Sequence, residues 1–305
     1  MNNSSLISVL IPAFQSKASL KTAVESALRQ KYEHLELIVS DDGTPGFDAS
    51  EIESFAASVN DRVSCVVLSQ KKNLGTVANL NCALAHAHGA WIQLLAADDM
   101  FASPESVGDI LTAAMDRGSV WALPLTTLCD AQMRLTGRVV PENDVLALLR
   151  GGALRRLYFR NCLDCVLPAE GIFQRNVLEQ VGGFDVAYRL IEDWPLSLKL
   201  LQMGFMPGIT ERACILHRGG GVSRRSPQHN RLYQTDLIHV MQREILPHLE
   251  QLEEQEREAV WHRCEEKAAV YKLRFECRSP LEKLSWSLRH SRLLLRKARK
   301  RYYGS

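Results

Sequence analysis

Ser8-Val9-Leu10-Ile11-Pro12-Ala13-Phe14 and, after an intervening helix-period segment, Glu36-Leu37-Ile38-Val39-Ser40-Asp41-Asp42-Gly43-Thr44 are the stretches whose reading decides the fold. Each is a short apolar run that breaks into polar or turn-forming residues. Between them, Leu20, Ala23, Val24, Ala27 and Leu28 fall on one helical stripe, with Lys21, Glu25 and Arg29 facing away. The same alternation continues outward. Apolar runs at 6–14, 35–40, 63–68 and 91–95 are followed by helix-period segments at 18–30, 49–59, 76–88 and 104–116. Strand and helix in strict alternation predict an α/β domain with a mostly parallel central sheet flanked by helices. Right-handed crossovers place helices on both faces and gather ligands at the carboxyl ends of the strands.

Three strand ends then deserve chemistry: Pro12-Ala13-Phe14, Asp41-Asp42-Gly43-Thr44 and Ala96-Ala97-Asp98-Asp99. Asp98 and Asp99 suit a hard divalent cation, or equally the capping of the helix that Pro104 begins. Asp42 can accept a hydrogen bond from the imide of a uracil or thymine base, although Asp-Asp-Gly is also an ordinary turn. Glu192-Asp193-Trp194 opens a helix whose buried side is supplied by Leu196, Leu198, Leu200 and Leu201. A carboxylate there either caps the helix or takes a proton as a general base. His217-Arg218-Gly219-Gly220-Gly221, with Arg224 and Arg225 close behind, reads as an anion-seeking loop. His217 serves structure or joins a metal or diphosphate shell.

Composition narrows the class. With 305 residues and 46% hydrophobic side chains, the chain can bury one large core, or one core and an appendage. No apolar run is long enough to span a bilayer and no secretory leader is visible, so a cytoplasmic location is expected. The eight cysteines lack the density of a disulfide framework, and packing is the expectation for Cys162 and Cys165 too. A segment at 121–125 reads as a strand, 126–168 as irregular, and 171–181 as strand then helix. From Pro227 the pattern is helical to the end, which divides the chain at 1–225 and 226–305.

Taken together, the quoted segments resemble the family 2 glycosyltransferases of the GT-A fold, common in bacterial O-antigen and capsule pathways. Further elements of the likeness are Asn73-Leu74-Gly75, Gly89-Ala90-Trp91-Ile92 and Val181-Gly182-Gly183-Phe184-Asp185, and it covers roughly residues 6–225. The resemblance implies a metal-dependent, inverting, non-processive transfer of a sugar from a nucleotide-diphosphate donor, first of all a UDP-sugar, to a glycan or lipid-linked acceptor. It assigns Pro12, Ala13 and Phe14 to the base pocket and Asp42 to the base. Gly43, Lys72, Asn73, Gly75 and Asp98 complete the donor nucleotide site. Asp99 and His217 hold Mn²⁺ or Mg²⁺, Asp193 is the base, and Glu192 and Trp194 face the acceptor. Arg218, Arg224 and Arg225 serve the diphosphate.

Three positions depart from the family pattern. Ala96 replaces a frequent aspartate, Phe14 a frequent tyrosine and Leu80 a frequent arginine. The missing carboxylate at Ala96 leaves a non-catalytic scaffold of the same fold as the alternative. A nucleotidyltransferase would carry a glycine-rich basic signature after the first strand, which Pro12-Ala13-Phe14-Gln15 is not. Arg155, Arg156, Tyr158 and Arg160 either meet a phosphorylated acceptor or are merely solvated. Finally, residues 272–305 carry eleven Lys or Arg against two Glu, so a net of +9 sits on a body of −7. Leu281, Leu284, Leu288 and Leu295 recur among those basic residues at helical spacing. Such a helix lies on an anionic membrane surface or packs on the acidic body; no base-reading module points to nucleic acid.

Overall fold

The computed structural model describes residues 5–219, 227–277 and 279–289. Four parallel strands form one side of a nine-stranded sheet: β1 (Ile7–Ala13), β2 (Leu35–Asp41), β3 (Ser64–Ser69) and β4 (Trp91–Leu94). Helices α1 (Lys17–Leu28), α2 (Ala49–Val59) and α3 (Thr76–Ala85) make the crossovers. The remaining strands are β5 (Met100–Phe101), β6 (Trp121–Cys129), β7 (Leu135–Val140), β8 (Ile172–Gln174) and β9 (Gly208–Arg218). The spatial order is β3-β2-β1-β4-β8-β6-β9-β5, with β7 beside β6. Short β8 runs antiparallel to both β4 and β6, while β6 and β9 pair in parallel.

Alternation along β1 explains why the sheet is buried on both sides. Ile7, Val9 and Ile11 join the core under α1, α2 and α4 (Ser106–Arg117), whereas Leu10 joins the opposite one. That second core collects α3, α5 (Asn143–Arg150), α6 (Leu154–Leu163), α7 (Arg175–Gln180) and α8 (Asp193–Gln202). The predicted stripe of α1, from Leu20 to Leu28, is buried throughout. Helices α9 (Pro227–Val240) and α10 (Glu254–Tyr271) press Leu237, Val240, Val260 and Cys264 into the same core. The expected division at 225/226 falls in a segment outside the described residues.

The stretch 126–168 is not irregular. It continues β6, then forms β7, α5 and α6. The strand β7 carries almost only exposed side chains, so it has no apolar alternation to read. In α5 and α6 only single faces are covered, by Val145, Leu146 and Leu149 and by Leu157, Tyr158 and Cys162. Arg155 bridges Glu253 and Glu256 of the α10 entrance, Arg160 pairs with Asp144, and the buried Tyr158 hydroxyl accepts a hydrogen bond from Gln202. These three side chains tie elements together.

Candidate active site

The ends of β2, β1 and β4 lie side by side, as the strand alternation predicts. Backbone bonds carry the order past the strands: the Asp42 amide donates to Ala13 O, and the Gln15 amide donates to the Thr44 hydroxyl. Phe14 is half-buried at this edge and Pro12 is partly accessible. Gly43 has φ +76°, and a Cβ there would stand 2.6 Å from the Lys72 carbonyl carbon. Only glycine permits this approach of the two loops. Asp42 holds the second loop directly, its two carboxylate oxygens accepting from the Leu74 and Gly75 amides at 2.6 and 2.9 Å. Burial raises its carboxyl pKa, against those bonds and the nearby Arg189 charge. Lys72 and Asn73 are exposed on the same loop.

Beyond β4 the chain turns through Ala96-Ala97-Asp98-Asp99. Asp99 is buried, and its two oxygens take the Arg218 amide at 2.8 Å and His217 Nδ1 at 2.9 Å. Glu170 comes from the turn that leads into β8, where its carbonyl accepts from the Gln93 side chain. One ligand atom each of Asp99, Glu170 and His217 lies within 4.8 Å of the others. Burial and the Asp99 charge raise the Glu170 carboxyl, while the hydrogen bond to Asp99 raises the His217 imidazole. Two buried carboxyls beside one half-exposed imidazole fit a divalent cation: the donor set is hard, and its negative charge is only partly compensated from within. Glu170 is a residue that the sequence alone did not single out. In space it supplies the second carboxylate that Ala96 cannot.

Glu192 and Asp193 open α8 on the Glu170 side, near enough that the Glu170 charge contributes to raising Glu192. Burial is the larger cause for Glu192 and the main cause for Asp193. Both keep accessible edges. Asp193 accepts from the Trp194 amide at 2.7 Å and from the Cys165 thiol at 3.6 Å. Burial holds the Cys165 thiol well above its ordinary pKa, so it is a protonated donor.

Trp194 corrects the expectation that it faces the acceptor. It is fully buried, and its indole N–H donates to Asn161 O at 2.7 Å. The positions 194, 198 and 201 fall on one helical stripe, all of them buried, which makes Trp194 a core residue. Trp194→Ala is expected to cost about 3–5 kcal/mol of unfolding free energy in urea titration; a cost below about 1 kcal/mol would return the indole to the surface.

Arg218 is only partly available. Its Nε donates to Asp98 O and its Nη1 to Ala131 O, so one side chain fastens the Asp98–Asp99 turn to the β6–β7 connection. Asp98 itself is half-buried. Arg224 and Arg225 lie outside the described residues, as does the basic segment from 290 onward. Leu80 is buried, so α3 presents no cation at that position. The cation near Asp42 is Arg189, from the connection before α8.

Comparison with known proteins follows the same lines. The family model described as "Glycosyl transferase family 2" matches residues 8–161. An uncharacterized glycosyltransferase of Haemophilus influenzae is 31% identical over 217 residues, 69% of this chain and 65% of that protein. The Escherichia coli protein named UDP-Glc:alpha-D-GlcNAc-diphosphoundecaprenol beta-1,3-glucosyltransferase WfaP is 34% identical over 94 residues, 31% of this chain and 36% of that one. The chain thus spans less than two thirds of the length of these relatives. Among solved structures, S. aureus TarS 1–349 in complex with UDP superposes with a TM-score of 0.57 at 15% identity, covering 98% of this chain and 93% of the other. The mannosyltransferase PcManGT from Pyrobaculum calidifontis, in complex with GDP-Man and Mn²⁺, gives 0.57 at 15%, covering 100% and 89%. The mixed sheet with its flanking helices is the GT-A fold, and the chain belongs to glycosyl transferase family 2.

Proposed function

We propose that this chain moves a sugar from a UDP-sugar to a hydroxyl of a glycan or lipid-linked glycan, with inversion and one residue at a time, in the assembly of a surface polysaccharide. The observation that carries the reading is the Asp99–Glu170–His217 cluster at the carboxyl ends of the strands, with Glu192 and Asp193 beside it. The UDP complex of TarS, and the donor and diphosphoundecaprenol acceptor in the WfaP name, support the choice of donor and acceptor class.

Asp99, Glu170 and His217 would hold the metal, with Mn²⁺ favoured by the PcManGT complex and Mg²⁺ also compatible with hard oxygen donors. When bound, such a cation neutralises charge growing on the departing diphosphate. Phe14 and Pro12 cover the base, and Asp42 accepts from its imide. Lys72 and the accessible part of Arg218 serve the diphosphate, with Arg224 and Arg225 as further candidates. Asp193 takes the proton of the acceptor hydroxyl as the new oxygen–carbon bond forms on one face of the anomeric carbon. The old bond breaks on the other face, and the diphosphate leaves with its electron pair. Glu192 flanks the acceptor. Glu170 weakens the scaffold alternative that Ala96 left open.

Incubation with UDP-glucose, UDP-galactose and UDP-N-acetylglucosamine, Mn²⁺ and a lipid-diphosphate-linked N-acetylglucosamine acceptor tests this. A glycosidic product of inverted anomeric configuration is expected. Transfer with retained configuration, or from no UDP-sugar, would contradict the reading.

The same reading places the enzyme at the cytoplasmic face of a membrane. No helix among the described residues is long and apolar enough to cross one. Helix α11 (Pro280–Arg289) nonetheless leaves Leu281 and Leu284 exposed at 78% and 59%, beside the exposed Lys283, while Trp286 is buried. Vesicles containing anionic lipid are expected to pellet the protein in low salt, and Leu281→Asp with Leu284→Asp to lower the bound fraction several-fold. Equal pelleting by neutral vesicles would contradict an electrostatic surface contact.

A further inference from the structure

The connection from Phe184 to α8 does more than carry Glu192 and Asp193. Its start is docked on α3, where Asn81 exchanges two hydrogen bonds with the Phe184 backbone, at 2.7 and 3.0 Å. Its middle is held by α9. Asp236 is buried, and one of its carboxylate oxygens accepts from both the Arg189 and Leu190 amides, at 2.9 and 2.6 Å. So fixed, the Arg189 carbonyl accepts from the Val77 amide at 3.3 Å, and Gly75 lies so close that a Cβ would stand 2.5 Å from Arg189 Cγ. The Arg189 Nη2 donates to the Asn73 backbone and side-chain oxygens at 3.2 and 2.7 Å. Asn73 belongs to the loop whose next two amides bind Asp42.

From this geometry we infer that Arg189 is a donor-binding residue that reads the base end of the nucleotide, and that Asp236 is its positioning residue. The inference rests on the donor-site reading above. Nη2 is engaged with Asn73, and among the described residues Nε and Nη1 remain as donors on an exposed guanidinium. The loop clamped in this way carries a carboxylate acceptor, Asp42, which holds the Leu74 and Gly75 amides next to Asn73 and keeps further lone pairs for a ligand. A guanidinium donor next to a carboxylate acceptor matches a ring edge that offers a carbonyl next to an imide N–H, as uracil does. Cytosine offers an unprotonated ring nitrogen and an amine on that edge, and meets both groups with the wrong partner. The strand order decides base against diphosphate. Asp42 directly follows β2, whereas the metal cluster lies beyond β4, two strand spacings or about 10 Å away. Arg189 therefore stands at the nucleoside end.

The test is calorimetric titration of UDP and CDP, each with Mn²⁺, into the full chain and into Arg189→Ala, Arg189→Lys and Asp236→Asn, with circular dichroism as a fold control. Arg189→Ala is expected to weaken UDP about tenfold or more and to bring the UDP:CDP affinity ratio close to one. Arg189→Lys restores part of the affinity, and Asp236→Asn lowers the ratio with Arg189 still present. A purely structural clamp would change melting temperature and leave the ratio alone. Wild type that binds UDP, with Arg189→Ala binding both nucleotides as wild type does, overturns this inference and spares the donor site. A folded wild type that binds no nucleotide contradicts the donor site itself.

Discussion

Asp99→Asn is expected to abolish metal-dependent transfer, by roughly 10³-fold or more in kcat/KM, while the chain stays folded. The cation's stabilisation of a departing diphosphate is worth several kcal/mol, and each 1.4 kcal/mol is a factor of ten in rate. Asn preserves the size of the side chain and one oxygen, so the 2.8 Å bond from the Arg218 amide can persist. It removes the charge that makes Asp99 a ligand and the partner of His217. The loss should track the metal: Mn²⁺ titration restores wild type after chelation and leaves the variant inactive. Activity within tenfold of wild type would mean that another carboxylate holds the charge.

Asp193→Asn is expected to lower kcat by about 10²–10⁴-fold and leave the UDP dissociation constant within about twofold, because it removes proton transfer and touches no donor contact. The two variants thus separate, one losing metal-dependent donor stabilisation and the other chemistry alone. A pH signature accompanies the second. Asp193 must be ionised to act, and burial raises its pKa above the ordinary aspartate value. Wild-type kcat should therefore fall on the acidic side at a pH higher than an unperturbed aspartate would give, and be fully present above the raised pKa. A profile flat through the mildly acidic range would remove Asp193 from the role.

Much of this was legible in the sequence because the first half is locally determined. Short continuous apolar runs and period-3.6 segments placed β1, β2, β4, α1 and α2 within a residue or two of their observed ends. The turn residues after those strands then located the crevice. Glu170 escaped because nothing local marks it. Its turn, Pro168-Ala169-Glu170-Gly171, acquires meaning only when β8 inserts antiparallel between β4 and β6 and brings the carboxyl to Asp99. Arg189 escaped for the same reason, since its partners Asn73 and Asp236 lie far away in sequence on either side. Trp194 was misread for the opposite reason. Its place beside two acidic residues drew attention from the stripe it shares with Leu198 and Leu201, which already placed it inside. The stretch 126–168 looked irregular because its strand is exposed and its helices are short, with arginines committed to inter-element salt bridges.

The central claim is that one crevice binds a uridine diphosphate together with a divalent cation, and the most direct measurement is thermal unfolding of the wild-type chain with UDP, with Mn²⁺, and with both. A ligand at a hundred times its dissociation constant stabilises by about 2.7 kcal/mol, which for a chain of this size is a shift of roughly 5 °C. The account predicts that UDP and Mn²⁺ together raise the melting temperature by more than the sum of their separate effects. A folded chain whose melting temperature is unmoved by UDP in saturating Mn²⁺ would contradict it.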